Sequence, residues 1–471
     1  MKKLYRFSAI ALLVLPLIFT SCSDYLDRDD DDNITEADVF ARYEKVNGLV
    51  SDVYAAAKKA DRPLVFFEHF SNSAITDECE GTNVEGNITN NFNNGAWNPN
   101  SLPGSVGQYW EALYEGIRKA NLIIENVQKY NTPDNPQQDG DLRNRIGEMY
   151  FMRGYFHMLL LRMYGEAPYI DRVINAGDNM DFKKESVHSM VEKIVTDAQT
   201  AYGMVPNKYV KTSENFGRVD KGACLGLISF VRWVAATPLW NGASQYGYNL
   251  RRVFENEYAY DATRWRKAKE AAKAVLDFEV GGTKRYSLYT KHDANDFKDP
   301  ADGNLNDSRV YARLWDMFYD MDAFANEYVF FMTKSKDQAW QGDIYPPSRE
   351  GSSRQQPVQE QVDEYEYIVG DYGYPVYSAE ARKGGYDDTN PYVKGTRDPR
   401  FYRDVIYHGA PYRNNKNESK TINTASGSDK IGATNATTTG YYLRKFQQES
   451  WNKSGNFSIN APAIWRLPEF I

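Results

Sequence analysis

The segment IGEMYFMRGYFHMLLLRMYGEAPYI, residues 146–170, decides how this chain folds. When it is drawn as a helix, apolar side chains point in almost every direction around the axis. A helix that is apolar on all faces must be buried among other helices. The segment is too short, and too often interrupted by Arg153, His157 and Arg162, to span a bilayer. It is therefore predicted to be the central helix of an α-helical core.

Two glycines and a proline add detail to this helix. Gly154 is predicted to let a neighbouring helix approach closely, because it has no side chain at the crossing. Gly165 can adopt the left-handed conformation that ends many helices, and Pro168 cannot continue one. The central helix should therefore end just before Gly165.

Amphipathic patterns predict further helices on both sides of the central one. The first begins near Thr35, which can form a capping box with Asp38. Others are expected at residues 106–130, after Ser186, at 220–236 and at 263–278. Successive helices that pair through their apolar faces form antiparallel hairpins. The fold is therefore predicted to be mostly α, a curved scaffold of TPR-like hairpins, although no strict repeat of about 34 residues is visible.

The chain changes character after residue 280. Helical periodicity fades, and clusters of Gly, Asn, Asp and Pro interrupt the sequence every few residues. Short strands are predicted at 327–333, 401–407 and 441–446. We therefore expect one domain over residues 34–471, with a helical part at about 34–280 and an irregular, ligand-facing part at about 281–463.

Length and composition narrow the possible functions. The chain has 471 residues and a formal net charge of −8, so nucleic-acid binding is not expected, because phosphate neutralisation needs clustered Lys and Arg. Three cysteines are too few for a disulfide framework and show no zinc-ligand spacing. Aromatic residues make up 14% of the chain, and 35 of them are tyrosines. Amphipathic rings of this kind suit an extracellular surface that recognises polar ligands.

The first residues form a processing signal. Basic residues precede an apolar stretch at 9–18, as in a signal peptide. The following Phe19-Thr-Ser-Cys22 resembles a lipobox, apart from Phe19 in place of the usual Leu. We therefore expect residues 1–21 to be a lipoprotein signal peptide, Cys22 to carry palmitate, and residues 22–33 to form an acidic tether. The alternative is an ordinary secretory signal in which Cys22 is an incidental thiol.

Two tryptophans are candidate sugar-binding residues. Trp97 lies in a long loop at 64–102 that is rich in Asn, Gly and Thr, and Trp340 lies in a similarly turn-rich setting. Flat sugar faces stack on such rings, while neighbouring polar side chains bond to the hydroxyl groups. The alternative for each ring is that it packs its loop onto the core.

Further candidates for glycan contact are Trp315 and Tyr345 in the irregular part, and Asp77 and Glu78 in the same long loop as Trp97. The alternative for the two rings is again core packing. The carboxylates could accept hydrogen bonds from sugar hydroxyl groups.

Other conspicuous side chains are expected in the core. Trp110, Trp233 and Trp265 lie on apolar helix stripes. Cys79 and Cys224 are expected to be unpaired, and Cys224 resembles a small core residue on a helix.

An oxygen-rich loop could hold calcium. Its candidate ligands are Asp293, Asn295, Asp299, Asp302, Asn304, Asn306 and Asp307. The loop lacks the glutamate at the twelfth position of an EF-hand and contains Pro300, so a solvated loop and no cofactor are expected.

Groups that could perform catalysis are present without a catalytic arrangement. Adjacent carboxylates occur at residues 77–78, 363–364 and 387–388, but adjacent side chains do not face each other across a substrate as a glycosidase pair does. The histidines have no metalloprotease or triad context. The residues therefore indicate binding rather than an enzyme.

Several segments, spread in order over most of the chain, resemble one known family. The string RGYFHMLLLRMYGEAPYI at 153–170 resembles the signature of the SusD/RagB family, the surface glycan-binding lipoproteins of Bacteroidetes. Further matching segments are WEALY at 110–114, IRKAN at 117–121, GRVDKGA at 217–223, TPLWNG at 237–242, YD at 260–261, WRKA at 265–268, NEYVF at 326–330, QPVQ at 356–359, VDEYE at 362–366 and DPRF at 398–401.

The resemblance implies a function, a location and partners. A SusD-like chain is a non-catalytic lipoprotein that faces the cell exterior from the outer membrane. It captures oligo- or polysaccharide and hands it to a TonB-dependent, SusC-like transporter. Acidic residues after the lipidated cysteine, here residues 22–33, help to route such a protein to the surface. Two alternatives remain open: a secreted glycoside hydrolase, and a structural TPR lipoprotein that scaffolds other proteins.

The last residues depart from the family pattern. IWRLPE at 464–469 resembles the segment that opens the last helical pair of the family, but Pro468 stands where that helix should continue. The resemblance therefore implies an incomplete final hairpin at 464–471. An incomplete helical array exposes the apolar face of its preceding repeat.

Overall fold

The computed structural model describes a helical scaffold followed by an irregular part with short strands, so the predicted mostly α, TPR-like fold is confirmed. The described residues are 35–60, 70–81, 88–96, 98, 104–131, 136–209, 215–242, 254–290, 317–318, 325–332, 342–393, 395–413, 419–446 and 463–471.

The helical part is a sequential stack. Its helices are α1 (Glu36–Phe40), α2 (Tyr43–Ala60), α3 (Ile88–Asn93), α4 (Gly104–Tyr130), α5 (Pro136–Tyr164), α6 (Val187–Met204), α7 (Lys221–Ala236) and α8 (Ala262–Asp277). Helix α2 packs against α4, and then α4, α5, α6 and α7 each pack against the next helix along the chain. Among the described residues, no helix is both long and apolar enough to cross a membrane.

Local side chains explain where these helices begin. The capping box of Thr35 and Asp38 is present. Ser186, Asp220 and Asp261 each cap the next helix by accepting a backbone N–H of its first turn. The predicted first helix is wrong in one respect, because the chain leaves α1 at Phe40 and starts α2 only at Tyr43.

The irregular part contains short helices and strands. Its helices are α9 (Gln359–Asp363), α10 (Ala379–Lys383) and α11 (Pro399–Asp404). The strands of the whole chain are β1 (Ile75–Thr76), β2 (Cys79–Gly81), β3 (Glu279–Val280), β4 (Thr283–Lys284), β5 (Tyr328–Phe331), β6 (Gln355–Pro357), β7 (Tyr367–Val369), β8 (Tyr372–Tyr374), β9 (Val405–Ile406), β10 (Pro411–Arg413), β11 (Ser419–Thr421), β12 (Tyr442–Leu443) and β13 (Ala463–Arg466). They form one sheet in the order β1–β2–β6 and the antiparallel pairs β3–β4, β5–β13, β7–β8, β9–β12 and β10–β11.

All three predicted strand segments contain a strand, although one of them is mostly helical. β5 lies within 327–333 and β12 within 441–446. The segment 401–407 is mostly helical instead, because Asp398 accepts the Arg400 N–H and Pro399 occupies the first helical position of α11. Only β9 remains extended there.

The central helix α5 is buried as predicted. Every residue from 151 to 161 is buried, including Arg153 and His157. The helix ends at Tyr164 because Gly165 adopts a left-handed conformation with φ of +71°. α4, α6 and part of α2 pack around it, which makes it the centre of the scaffold.

The close approach between helices occurs at another glycine than the one predicted. A Cβ atom at Gly154 would lie 3.5 Å from Asp197 and Ile194, which is ordinary contact. A Cβ atom at Gly116 of α4 would lie 2.5 Å from the Phe156 ring of α5. Sequence pattern identified the helices, but not which residue of α4 the Phe156 ring meets.

Arg153 connects the central helix to its neighbours. Its guanidinium donates to both carboxylate oxygens of Asp197 in α6, at 2.7 and 2.5 Å, and to the Asn121 side chain in α4 at 3.0 Å. All three side chains are buried. The polar residues that interrupt the apolar helix therefore hold α4, α5 and α6 in one arrangement.

Glu148 performs a similar role one turn earlier. It is fully buried and accepts hydrogen bonds from Tyr54 at 3.0 Å, Arg145 at 2.6 Å, Tyr209 at 2.6 Å and Arg218 at 2.8 Å. These donors come from α2, α5 and the segment before α7. A buried carboxylate needs such partners, and they fix the helices that supply them.

The tryptophans expected in the core divide into two groups. Trp110 is half-buried and meets the Tyr164 ring edge-on at 4.9 Å. The core prediction is wrong for Trp233 and Trp265, which are 51% and 43% exposed. The two rings line the same surface depression between α7 and α8, which pack against each other.

The last described residues do not form an α-helix. β13 pairs with β5, and residues 467–470 form a 3-10 turn that packs against α8. Trp465 is buried between Phe330 and Tyr155, with ring centroids at 5.5 and 6.0 Å. The segment is thus attached to the core through β5.

Candidate functional site

The sheet β1–β2–β6 connects the helical and irregular parts of the chain. Residues of β2 and β6 pair antiparallel, with Cys79 opposite Pro357 and Gly81 opposite Gln355. Residues 79–81 of the long loop at 64–102 are therefore held by backbone pairing with the irregular part.

Asp77 and Glu78 lie in the tight turn between β1 and β2, and both are exposed. Ser73 donates to the Glu78 carboxylate at 2.8 Å, and the Glu78 carbonyl accepts the Val358 N–H at 3.2 Å. The second contact comes from the residue after β6. The two predicted carboxylates are thus held at the edge of the sheet and face solvent.

The charges around this turn have both signs. Burial raises the pKa of Glu80, which follows the turn. Burial lowers the pKa of Lys445, while the carboxylates of Asp404 and Glu78 favour its charged form. Burial therefore disfavours the charged form of both side chains.

Two glutamines fix the backbone at this junction. The Gln355 side chain accepts the Ser71 N–H at 2.9 Å. The Gln356 side chain accepts from the Thr437 hydroxyl and from the Thr438 N–H, both at 2.9 Å. Both glutamines are buried, so the sheet is stabilised by side chains as well as by strand pairing.

The chain just before Trp97 is attached to this sheet. Helix α3 packs on β1 and β2, and Asn93 donates to the Ala74 carbonyl at 3.1 Å. Phe92 packs with the cluster of Phe70, Ala74 and Val106. The described chain that leads to Trp97 is therefore anchored at the junction.

The chain just after Trp340 is attached to the same region. The Gly342 carbonyl accepts the Ser352 N–H at 2.8 Å, and the Asp343 carbonyl accepts the Arg354 N–H at 2.6 Å. Arg354 also donates to the Asp343 carboxylate at 2.8 Å. Arg354 directly precedes β6, so the described residues that follow Trp340 are bonded to the chain that enters this strand.

Burial favours core packing for Tyr345. Its side chain is 2% exposed and packs with Ile344, Ile406, Ile422 and Tyr442. A sugar cannot stack on a ring that is covered in this way, so Tyr345 is not retained as a stacking residue.

Several predicted sites lie outside the described residues. These are Trp97, Trp315, Trp340, the lipidation site Cys22 and the oxygen-rich loop with its candidate ligands between Asp293 and Asp307. Among the residues that the structure does describe, no three His, Cys, Asp or Glu side chains are grouped to hold a metal ion. Cys79 and Cys224 are buried free thiols, and burial raises the pKa of both.

The other adjacent carboxylates form local contacts. Asp363 accepts hydrogen bonds from Gln359 at 2.7 Å and from Tyr377 at 3.1 Å. Asp388 pairs with Arg382 at 2.9 Å. Each of these two carboxylates is therefore held by nearby side-chain donors.

Sequence reasoning missed the glutamines of β6 and the exposure of Trp233 and Trp265. The segment QPVQ at 356–359 stood out only by its resemblance, and nothing in it predicts a partner near residue 71. A helix stripe shows which face is apolar but not whether another element covers it.

Models of two protein families match the chain. The first, a SusD-like family described as starch-binding and associating with the outer membrane, matches residues 24–231. The second, described as the SusD family, matches residues 322–470. The chain belongs to the SusD/RagB family. Most of the segments that resembled the family lie within these two matches.

Relatives of this SusD-like chain are known by sequence and by structure. The SusD-like protein P2 of Formosa agariphila is 24% identical over 202 residues, which are 42% of this chain and 38% of the relative. A SusD-like protein of Bacteroides fragilis has 18% identity and a TM-score of 0.69, over 93% of this chain and 75% of the other. A SusD-like carbohydrate-binding protein of the same species has 14% identity and a TM-score of 0.66, over 92% and 73%. The structural likeness shows the fold.

Proposed function

We propose that this SusD-like chain is a non-catalytic glycan-binding lipoprotein on the outer face of the outer membrane. It captures oligo- or polysaccharide and hands it to a TonB-dependent, SusC-like transporter. Membership of a family described as starch-binding and associating with the outer membrane supports this function.

The observation that carries the proposal is the shared anchor of the two tryptophan loops. Helix α3, on the N-terminal side of Trp97, packs on β1 and β2, and residues 342–343, on the C-terminal side of Trp340, are hydrogen-bonded to residues 352 and 354 just before β6. Exposed Asp77 and Glu78 lie on the same sheet. Loops that a rigid scaffold positions commonly carry binding sites. The proposed glycan site is this junction, with Trp97 and Trp340 as stacking rings and the carboxylates as acceptors for sugar hydroxyl groups.

The experiment is a binding measurement on a panel of glycans that includes starch, with Trp97→Ala and Trp340→Ala variants. Loss of one stacking ring should weaken binding about five- to one-hundred-fold, if a sugar gains roughly 1–3 kcal/mol per ring, as a nucleic-acid base does. Far-UV circular dichroism should not change. Tyr260→Ala is the control, because it removes a ring that is 49% exposed in the helical part, and its affinity should equal that of the wild type.

Three results would contradict the proposal. Release of sugars from the bound glycan would indicate a glycoside hydrolase. Unchanged affinity in both tryptophan variants would remove the junction from consideration. Retention of no glycan in the panel would leave a structural scaffold as the better function.

A further inference from the structure

Tyrosine side chains form a surface on the hairpin of β7 and β8 and on the turn that follows it. We call the group of Tyr372, Tyr374 and Tyr377 the tyrosine surface. Tyr372 is 70% exposed and Tyr377 is 54% exposed, and no other large apolar side chain among the described residues 359–390 is exposed to this extent. The proposed glycan junction does not include this surface.

The hairpin turn explains why Tyr372 is exposed. Gly370 and Asp371 form a two-residue turn between Val369 and Tyr372, which lie opposite each other on the two strands. Gly370 has a φ of +63°, as the first central position of a tight hairpin turn requires. Helix α10 packs on β7, whereas Tyr372 on β8 stays in contact with solvent.

The exposed rings are supported by buried ones. Tyr372 and Tyr374 are alternate residues of β8, so they lie on the same face of the hairpin. Tyr374 is opposite Tyr367. The buried Tyr386 ring meets Tyr367 edge-on at 5.6 Å and Tyr377 edge-on at 6.0 Å. Packing of this kind holds the rings in place before a ligand arrives, which lowers the entropic cost of binding.

Tyr377 is fixed through both its backbone and its hydroxyl group. Its backbone lies in a turn that is closed by the Ser378 N–H and the Pro375 carbonyl at 2.9 Å. Its hydroxyl donates to the Asp363 carboxylate at 3.1 Å. A sugar stacked on the exposed part of this ring could therefore donate its own hydroxyl groups to a carboxylate at the ring's polar edge.

The charge of this segment restricts the class of ligand. Residues 359–390 contain eight carboxylates and two basic side chains, and so account for most of the formal net charge of −8. One of the two basic side chains, Arg382, is paired with Asp388 at 2.9 Å. Uronate, sulfate or phosphate groups would be repelled here. A neutral glycan instead supplies hydroxyl donors, which ionised carboxylates accept.

The same carboxylates argue against a protein as the occupant. The core of a protein interface is depleted of charged side chains. Here Asp371 directly precedes Tyr372, and Asp363 is bonded to Tyr377, so a protein that covered the rings would also have to desolvate these carboxylates. We propose that the tyrosine surface is a second binding surface for neutral polysaccharide, with Tyr372 and Tyr377 as stacking rings and Asp363 and Asp371 as acceptors.

The inference rests on the proposed function, because it assigns a further surface to a glycan-binding chain. Helix α9 begins two residues after β6 and ends at Asp363, and a helix of five residues is only about 7 Å long. The tyrosine surface therefore lies close to the glycan junction along the chain. A polysaccharide that contacts both surfaces binds more tightly than one that contacts either surface alone.

The test measures how strongly polysaccharides retard the full chain in affinity gel electrophoresis. The gels contain soluble starch, mixed-linkage β-glucan or galactomannan, which are neutral, or polygalacturonate, which is acidic. The wild type should be retarded by at least one neutral polysaccharide and not by polygalacturonate.

Three variants separate the two surfaces. The first is the pair Tyr372→Ala and Tyr377→Ala, the second is the pair Trp97→Ala and Trp340→Ala, and the third carries all four substitutions. The tyrosine pair should weaken binding of the neutral polysaccharide about five-fold or more. The variant with four substitutions should bind more weakly than either pair. Tyr260→Ala, which removes an exposed ring of the helical part, is the control and should bind as the wild type does.

Single substitutions distinguish lost stacking from lost fold. Tyr372→Ala alone removes a largely exposed side chain, so it should weaken binding and leave the unfolding midpoint unchanged. Tyr377→Phe keeps the ring and removes its hydroxyl contact to Asp363, and it should retain more binding than Tyr377→Ala.

The outcomes separate this inference from the proposed function. If the tyrosine pair binds as the wild type does while the tryptophan pair is weakened, the tyrosine surface is not a glycan site and the proposed function stands. If the tyrosine pair alone is weakened, this inference stands and the junction is wrong. Retardation by polygalacturonate that the tyrosine pair abolishes would overturn the neutral ligand. Self-association of the wild type that Tyr372→Ala abolishes would make a second copy the occupant. Retardation by none of the polysaccharides would overturn both proposals.

Discussion

His157 lies in the middle of the central helix, and its two ring nitrogens have different partners. The Ile170 N–H donates to Nε2 at 3.0 Å, so Nε2 carries no proton, and Nδ1–H donates to the Arg153 carbonyl at 2.8 Å. The ring is fully buried and stacks on Tyr169 at 3.8 Å. Burial lowers the pKa of His157 to about 3, even though the hydrogen bond to the Arg153 carbonyl favours the charged ring.

Acidification should therefore destabilise the fold through His157. The folded-state pKa is about 3 and the ordinary value is 6.5. Between these values the unfolded chain binds a proton that the folded chain does not. The free energy of unfolding should fall as pH drops from about 6.5 towards 3, by about 1.4 kcal/mol per pH unit from this residue.

Urea unfolding of the wild type and of His157→Gln, at several pH values in this window, measures the effect. The wild type should show the steeper loss of stability, whatever the offset between the two proteins at neutral pH. His188, whose pKa burial lowers to about 4, contributes to both proteins and cancels in the comparison. Parallel pH profiles would show that His157 does not titrate differently in the folded state.

At the scale of secondary-structure elements, the absence of a side chain at Gly116 lets helices α4 and α5 pack closely where they cross. The Phe156 ring of α5 lies where a Cβ atom of Gly116 would be, 2.5 Å from the nearest ring atom. Gly107, on the same helix α4, is exposed, and a Cβ atom added to it would meet no other atom within 4 Å. Gly116 therefore has no room for a side chain, whereas Gly107 has open space around it.

Alanine at these two positions should have opposite effects. Gly116→Ala forces the Phe156 ring to move and should destabilise the chain by about 1–3 kcal/mol. Gly107→Ala should stabilise it by roughly 0.5–1 kcal/mol, because alanine favours a helix over glycine. Thermal and urea unfolding of the two variants provides the measurement. Two changes of the same sign would show that the crossing can relax around a methyl group.

Sequence pattern predicted the elements well wherever the signal is local. Capping side chains such as Ser186 and Asp220 act within one turn, so helix starts followed directly from the sequence. The pairing of β2 with β6 could not be predicted, because strands of three residues carry no periodic signal and the partners lie far apart in the chain. The exposure of Trp233 depends on whether another element covers α7, which no pattern within α7 contains. The burial of Tyr345, which argues against sugar stacking, likewise depends on residues distant in the chain.

Attachment to the membrane concerns the whole molecule. The described residues contain no helix that could span a bilayer, and we propose that a lipid on Cys22 is the anchor. Cys22→Ala should release the protein into the periplasm in soluble form, because acyl chains supply the membrane affinity of a lipoprotein. Labelled palmitate should appear in the wild type and in a Ser23→Ala control, and not in Cys22→Ala. A wild type without label would rule out the lipid anchor.

The pairing of β2 with β6 also limits how this protein can recombine with its relatives. The irregular part is not formed by one continuous stretch of sequence. Residues 79–81 pair with its strand β6, although they come before most of the helical scaffold in the chain. A single crossover near residue 280 would combine β6 of one parent with β2 of the other. The hydrogen bond between Ser71 and Gln355 would then also join residues from two parents. Grafting a new specificity onto this scaffold therefore requires two exchanged segments, the loop around residues 70–96 and the region after 280, taken from the same donor.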